Sequence, residues 1–211
     1  MNGYEIAIKK PYFIPGHRSK KKMVFSTTTI EMIGDGYPII GSKTGSGDGY
    51  QTLVMACDID GIKVAGAIMN AADEQGRFEA MDELMRIGHK ILHEQEDAKK
   101  MKVTKARNSS LSVMDEKGVI NHIFAQNADE VSAPMSTTKV MTWVIARKYI
   151  QDWQKKEYIV PFDTKNAGYD ILYDWDKVTI EDMKQAMMRY SSNVAANAIA
   201  RIVGEMILQQ K

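Results

Sequence analysis

Ala133-Pro134-Met135-Ser136-Thr137-Thr138-Lys139-Val140-Met141-Thr142 is the stretch on which the reading of this chain turns. Val140, Met141, Trp143, Val144 and Tyr149 follow at helical spacing, so a helix is predicted to begin near Ser136. Ser136 and Lys139 then lie one turn apart on a shared face. A serine hydroxyl is a poor nucleophile at neutral pH and needs a base to take its proton. A desolvated lysine has a lowered pKa, and its neutral amine can be that base. At a helix N-terminus, free backbone N–H groups and the dipole also favour a developing oxyanion. The spacing by itself is unspecific: about one S-x-x-K match arises by chance in a chain of this length. Ser19-Lys20-Lys21-Lys22 is a second match, but it lies in a lysine run with no apolar helix behind it and reads as a solvated turn. Taken alone, Ser136 reads as an ordinary helix cap.

Two further motifs change that. In Ser191-Ser192-Asn193, Ser191 can pass a proton to a leaving amine and Asn193 can hydrogen-bond a substrate amide. Alone, this is a loop leading into the helical segment Ala195-Ala196-Asn197-Ala198-Ile199-Ala200. Lys43-Thr44-Gly45 directly precedes a predicted strand. Its cation suits a substrate carboxylate, Thr44 adds a hydroxyl, and Gly45 allows close approach to the backbone. Alone it is a surface turn within the glycine-rich run 41–49.

Together these are the S-x-x-K, S-x-N and K-T-G set of the penicillin-interacting serine enzymes, here in the order K-T-G, S-x-x-K, S-x-N. The contexts agree. Met114-Asp115-Glu116-Lys117-Gly118, Asn127-Ala128-Asp129-Glu130 and the opening decapeptide resemble the N-terminal hairpin and nucleophile helix of the low-molecular-mass penicillin-binding proteins, the serine D-alanyl-D-alanine carboxypeptidases. Asp176-Lys177-Val178-Thr179-Ile180-Glu181-Asp182-Met183 is similar to the approach to that family's S-x-N loop. Gly41-Ser42-Lys43-Thr44-Gly45 with Gly49-Tyr50-Gln51-Thr52-Leu53-Val54 resembles its K-T-G strand, and Arg77 and Leu84 fit its C-terminal helix.

The resemblance implies an α/β fold of α+β type: an antiparallel β-sheet flanked by helices, β-lactamase/transpeptidase-like and circularly permuted. One domain is expected over 1–211, with 1–93 matching the family's C-terminal part, 94–107 a linker, and 108–211 the N-terminal part. Ser136 would be the acylated nucleophile, Lys139 its base, and Ser191 the proton donor to the leaving group. Asn193, Lys43, Thr44, Gly45 and Ser46 would bind substrate, with the backbone N–H groups of Ser136 and Ser46 forming the oxyanion hole. The substrate would be a peptidoglycan stem peptide or a β-lactam, hydrolysed through an acyl-enzyme with no metal and no cofactor. The parent family acts outside the cytoplasmic membrane, whereas Met1-Asn2-Gly3-Tyr4-Glu5 has no signal-peptide layout.

Composition is compatible with this. The chain has 211 residues, enough for one good-sized core or two small domains, with 44% apolar and 26% charged residues. A net charge of +1 gives no reason to expect nucleic acid or an anionic membrane as partner. No apolar run reaches membrane-spanning length. The single cysteine, Cys57, excludes an internal disulfide and reads as a small buried hydrophobe. Two hairpins are predicted: 53–57 with 62–69 around Asp58-Ile59-Asp60-Gly61, and 110–114 with 119–124 around Asp115-Glu116-Lys117-Gly118. A helix over 78–92 separates the first hairpin from a charged run, 94–108, that reads as solvated. Thr179 and Asp182 fit a capping box.

Departures from the family pattern define the alternatives. The permuted order places the family's old termini at the linker, and domain termini often lie near each other. A segment expected between the S-x-N helix and the K-T-G strand is missing, as is the deacylating glutamate of class A β-lactamases, which favours a carboxypeptidase over a lactamase. The alternatives are a catalytically impaired penicillin-interacting module and an engineered permuted form. His89 and His93, four apart on the predicted helix with Glu94 and Glu96 nearby, have a spacing that can hold a metal, but read as exposed polar-face residues. His122 has no evident catalytic partner in sequence.

Overall fold

The computed structural model describes residues 37–210, so Met1-Asn2-Gly3-Tyr4-Glu5 and the lysine-run match Ser19-Lys20-Lys21-Lys22 lie outside the described residues. Five strands, β1 (Ile39–Gly47), β2 (Tyr50–Ile59), β3 (Ile62–Ala71), β4 (Ala106–Met114) and β5 (Ile120–Gln126), form one antiparallel sheet in sequential order. The architecture is therefore mixed α/β with an antiparallel sheet and helices. The described chain falls into two compact units, one ending at Thr137 and the other beginning at Thr138. The division lies within the helical run that carries S-x-x-K, not at the linker 94–107.

Local chemistry accounts for the strand order. The β1–β2 and β2–β3 connections are both Asp-Gly: Asp48 and Gly49 have φ of 49° and 79°, Asp60 and Gly61 of 51° and 87°. Two successive residues at positive φ make the two-residue hairpin loop whose twist matches the flanking strands. The second turn is tighter than the tetrapeptide expected from sequence, since Ile59 and Ile62 already pair. The β4–β5 turn is held by Asp115 Oδ1, which accepts from the N–H groups of Lys117 (2.9 Å) and Val119 (2.8 Å).

Alternation places Leu53, Met55, Cys57 and Ile59 of β2 on one face of the sheet, where helix α1 (Glu74–His89) covers them with Phe78, Met81, Leu84 and Met85. Each such side chain contributes about 1.5–3 kcal/mol on burial. Asp73 caps α1 by accepting from Gly76 N–H at 2.7 Å. Cys57 is fully buried beside Met85, and burial pushes its thiol up to about 11, so it packs as the sequence suggested. The helix passes into a π-helical turn, Lys90–Glu94. Beyond it the charged run is exposed at 94–97, yet Val103 is fully buried and β4 begins at Ala106. The expected linker is thus partly core, because Val103 closes the apolar cluster under α1.

The second unit holds helix α2 (Thr138–Tyr149), a two-stranded ribbon of β6 (Lys156–Tyr158) and β7 (Lys177–Thr179), a short helix α3 (Pro161–Thr164), α4 (Ile180–Gln185), a π turn (Ala186–Tyr190) and α5 (Asn193–Leu208). The capping box at Thr179 forms as expected, with Asp182 N–H donating to Thr179 Oγ1 and Thr179 N–H to Asp182 Oδ2. Val194, Ala195, Ala198, Ile199, Ile202 and Val203 make the buried face of α5 at helical spacing. Arg201 locks α5 to α3: its Nε and Nη2 each donate at 3.0 Å to the fully buried carboxylate of Asp163.

Candidate active site

In the first unit, Lys43-Thr44-Gly45-Ser46 lies within β1 itself rather than ahead of a strand. Gly45 pairs with Thr52 and Ser46 with Gln51 across to β2. Lys43 and Gly45 share a face, and there β1 meets a 3₁₀ turn, Met135–Thr137, that carries Ser136. The approach is very close. A Cβ built on Gly45 would stand 2.4 Å from Thr52 Oγ1 and 2.8 Å from the backbone N of Ser136. The glycine expected from sequence to admit a ligand also admits the backbone of the candidate nucleophile. Thr52 Oγ1 bridges the junction, directed at Gly45 O and Pro134 O at 3.3 Å each. Lys43 is buried and its Nζ donates to Thr44 O at 2.6 Å.

From the opposite face of β1, Arg77 of α1 reaches the same two residues. Its Nη1 donates to Gly45 O (3.2 Å), Ser46 Oγ (2.8 Å) and Gln51 Oε1 (2.9 Å), and its Nη2 to Glu74 Oε1 (2.6 Å). Arg77 is only 3% exposed, and burial is what lowers its pKa, opposed by Glu74. It fixes the end of the strand that carries Ser46. The family resemblance puts Arg77 on a helix and implies no such task for it.

Because Ser136 N cannot rotate away as a side chain would, a methyl at Gly45 must displace the turn that holds Ser136. If Ser136 is the nucleophile the motifs imply, Gly45→Ala is expected to slow its acylation about a hundredfold, the effect of an ångström-scale misplacement of a reacting group. Stopped-time mass spectrometry with a penicillin gives the rate, and cooperative thermal unfolding of the variant shows that the fold is retained.

The second unit gathers the other residues. Ser136 leads directly into α2, so Lys139 follows in the same continuous helical run, 135–149. Lys139 is 6% exposed, and desolvation by burial lowers its pKa while the Asp170 charge opposes the shift. Its Nζ donates to Asn193 Oδ1 at 2.7 Å, which joins S-x-x-K to S-x-N across 54 residues. Asn193 Nδ2 donates in turn to Ala167 O at 3.0 Å, so the amide is held at both ends. Ser191 sits at φ 66°, ending the π turn, and Ser192 is the cap of α5, accepting from Ala195 N–H at 2.9 Å.

Asp170 organises this turn, and no motif pointed to it. Its buried carboxylate accepts from Ser192 Oγ (2.7 Å), Asn193 N (2.8 Å), Val194 N (3.1 Å) and Ile171 N (2.7 Å). Its negative charge stands at the N-terminus of α5, where the helix dipole favours it. An open cavity of about 400 Å³ lies alongside, lined by Asp170, Tyr173, Trp175 and Val194 among others. Asp170→Ala leaves these N–H groups unpaired in the interior, which costs about 3 kcal/mol. A urea titration is expected to show that loss, and Asp170→Asn, which keeps one acceptor oxygen, a smaller one.

Two residues at the motifs adopt a positive φ that non-glycine residues rarely tolerate: Met135 (49°), immediately before Ser136, and Ser191. Such backbone persists only where surrounding contacts over-determine it. Elsewhere, Ser112 Oγ lies 2.8 Å from His122 Nδ1, as cross-strand neighbours on an exposed hairpin. Among the described residues, no helix is long and apolar enough to cross a membrane. No family model, curated protein or solved structure matches this chain.

Proposed function

We propose that the protein is a serine D-alanyl-D-alanine carboxypeptidase-like hydrolase, acylated by β-lactams, with a transpeptidase-like fold in circularly permuted order. The observation that carries this is the packing of Gly45, in K-T-G, onto the backbone N of Ser136, in S-x-x-K, across 91 residues of sequence. Chance motif matches have no reason to meet in space. The Lys139–Asn193 hydrogen bond supports the same reading.

In the mechanism, Ser136 Oγ attacks the carbonyl carbon of the penultimate D-alanine, and its proton passes to the neutral amine of Lys139. The tetrahedral oxyanion is held by the N–H groups of Ser136 and Ser46, whose positions are set by Gly45 and Arg77. Ser191 delivers a proton to the departing amine, and the C–N bond breaks to release D-alanine. Lys43 and Thr44 hold the substrate's terminal carboxylate, and Asn193 binds the amide before the scissile bond. Water then cleaves the Ser136 ester. The substrate is a peptidoglycan stem peptide, which places the reaction outside the cytoplasmic membrane.

Intact mass after incubation with benzylpenicillin, followed by peptide mapping, tests this. One adduct per chain is expected, on the peptide containing Ser136, with release of D-alanine from a peptide ending in D-alanyl-D-alanine. A folded protein that takes no adduct overturns the proposal. An adduct without D-alanine release removes hydrolysis and leaves a penicillin-interacting module.

A further inference from the structure

We propose a second site on the first unit, one that takes a borderline divalent cation such as Zn²⁺ between Asp60, His89 and His93. His89 closes α1 and His93 lies in the π turn that follows it, while Asp60 belongs to the β2–β3 loop. Their ligand atoms all lie within 4.8 Å of one another. His93 Nε2 and Asp60 Oδ2 are 3.2 Å apart, and the two imidazole centroids 4.6 Å apart. Tetrahedral Zn²⁺ with ligands at about 2.0–2.1 Å separates neighbouring ligand atoms by roughly 3.4 Å. The Asp60–His93 edge already has that length, and rotation of the exposed His89 side chain closes the rest. Glu94 Oε1, 3.9 Å from His89 Nδ1, is within reach of the fourth position, which water fills otherwise.

The donor set selects the metal. Two imidazoles and a carboxylate suit Zn²⁺, Co²⁺ or Ni²⁺, whereas Ca²⁺ and Mg²⁺ prefer all-oxygen sites. The two histidines alone, at i and i+4 of a helical run, are common on solvated helix faces. What distinguishes this pair is the third ligand, delivered by a different element 29 residues earlier in the chain. A bound ion ties the β2–β3 loop to the end of α1, at two points the backbone leaves unconnected. Asp60 lies nine residues along β2 from Gln51, about 30 Å from the strand end that carries Ser46, so the ion acts on stability rather than on acyl transfer.

Calorimetric titration of the metal-free full chain with Zn²⁺, with Co²⁺ absorption as an independent readout of coordination, tests the site. One equivalent is expected, with a dissociation constant on the order of micromolar, and a thermal midpoint that rises with Zn²⁺ concentration. Asp60→Asn keeps a residue suited to the positive φ of 51° and so preserves the turn while weakening the ligand. It is expected to weaken binding roughly tenfold, and His93→Ala to abolish both the heat and the Co²⁺ bands. No one-to-one binding up to millimolar Zn²⁺, or binding unchanged in both variants, overturns the site. Penicillin acylation is not a readout here, so failure of this site and failure of the proposed hydrolase are told apart.

Discussion

Ser136→Ala is expected to take no acyl group from any penicillin, at any time or concentration at which the unaltered chain is stoichiometrically labelled. The reason is chemical rather than steric, since the substitution removes the one atom that would form the covalent bond in the proposed mechanism. Ser136 sits in a 3₁₀ turn packed closely on Gly45, and a methyl side chain fits wherever a hydroxymethyl does. The fold should therefore survive, with a thermal midpoint within a few degrees of the unaltered chain, about what a surface-type substitution moves it. Ligand binding should survive too. Lys43, Thr44 and Asn193 remain, so the variant is expected to retain noncovalent affinity for a D-alanyl-D-alanine peptide, measurable by calorimetry. Residual labelling of Ser136→Ala at a second position assigns the nucleophile elsewhere and removes the proposed chemistry.

How much of this was legible in the sequence depends on the range over which each signal acts. The capping box at Thr179 and the β4–β5 hairpin were readable because turn and cap chemistry is satisfied within a few residues: Asp115 bonds its own turn, and Asp182 its own helix start. The β1–β2 hairpin carried the same Asp-Gly signal as its neighbour, yet the surrounding glycines and serines have no apolar alternation, so β1 read as the approach to a strand. It is a strand because it pairs with β2, a property of the partner rather than of its own side chains. The burial of Val103 and the contacts of Arg77 and Asp170 were beyond reach for a related reason. A lone valine in a charged run, an arginine in an amphipathic helix and an aspartate in a loop carry no pattern. Their roles come from tertiary neighbours: the cluster under α1, the end of β1, and the backbone N–H groups of the Ser-x-Asn turn. The three motifs are visible in the sequence as residue types at fixed spacing, while the packing of Gly45 on Ser136 and the Lys139–Asn193 hydrogen bond are not. Asp60 shows the same limit, since the His89–His93 spacing was visible and the ligand completing it was not.

Lys139→Arg is expected to lower the acylation rate by about two to four orders of magnitude, the usual contribution of a positioned general base. The substitution keeps the positive charge and a donor near Asn193 Oδ1, so much of the packing of α2 against α5 is retained. What it removes is the ability to be neutral, because a guanidinium does not lose its proton in the working pH range. The pH profile separates this from a structural role. An ordinary lysine, with a pKa near 10.4, is neutral at pH 7 in about one molecule in 2,500. Burial lowers the Lys139 value, so the neutral fraction at pH 7 is larger than that. The acylation rate should rise tenfold per pH unit below the lowered pKa and level off above it, with the bend falling short of pH 10.4. The same shift has a stability consequence of determined sign. Between the folded and unfolded values the unfolded chain binds more protons at this position, so stability rises with pH across that window, as charged Lys139 ceases to be held in the interior. Lys139→Arg should show neither the kinetic bend nor that rise. A bend at the unshifted lysine position, or an arginine variant that acylates at the original rate, would mean that Lys139 orients Asn193 and some other group takes the proton.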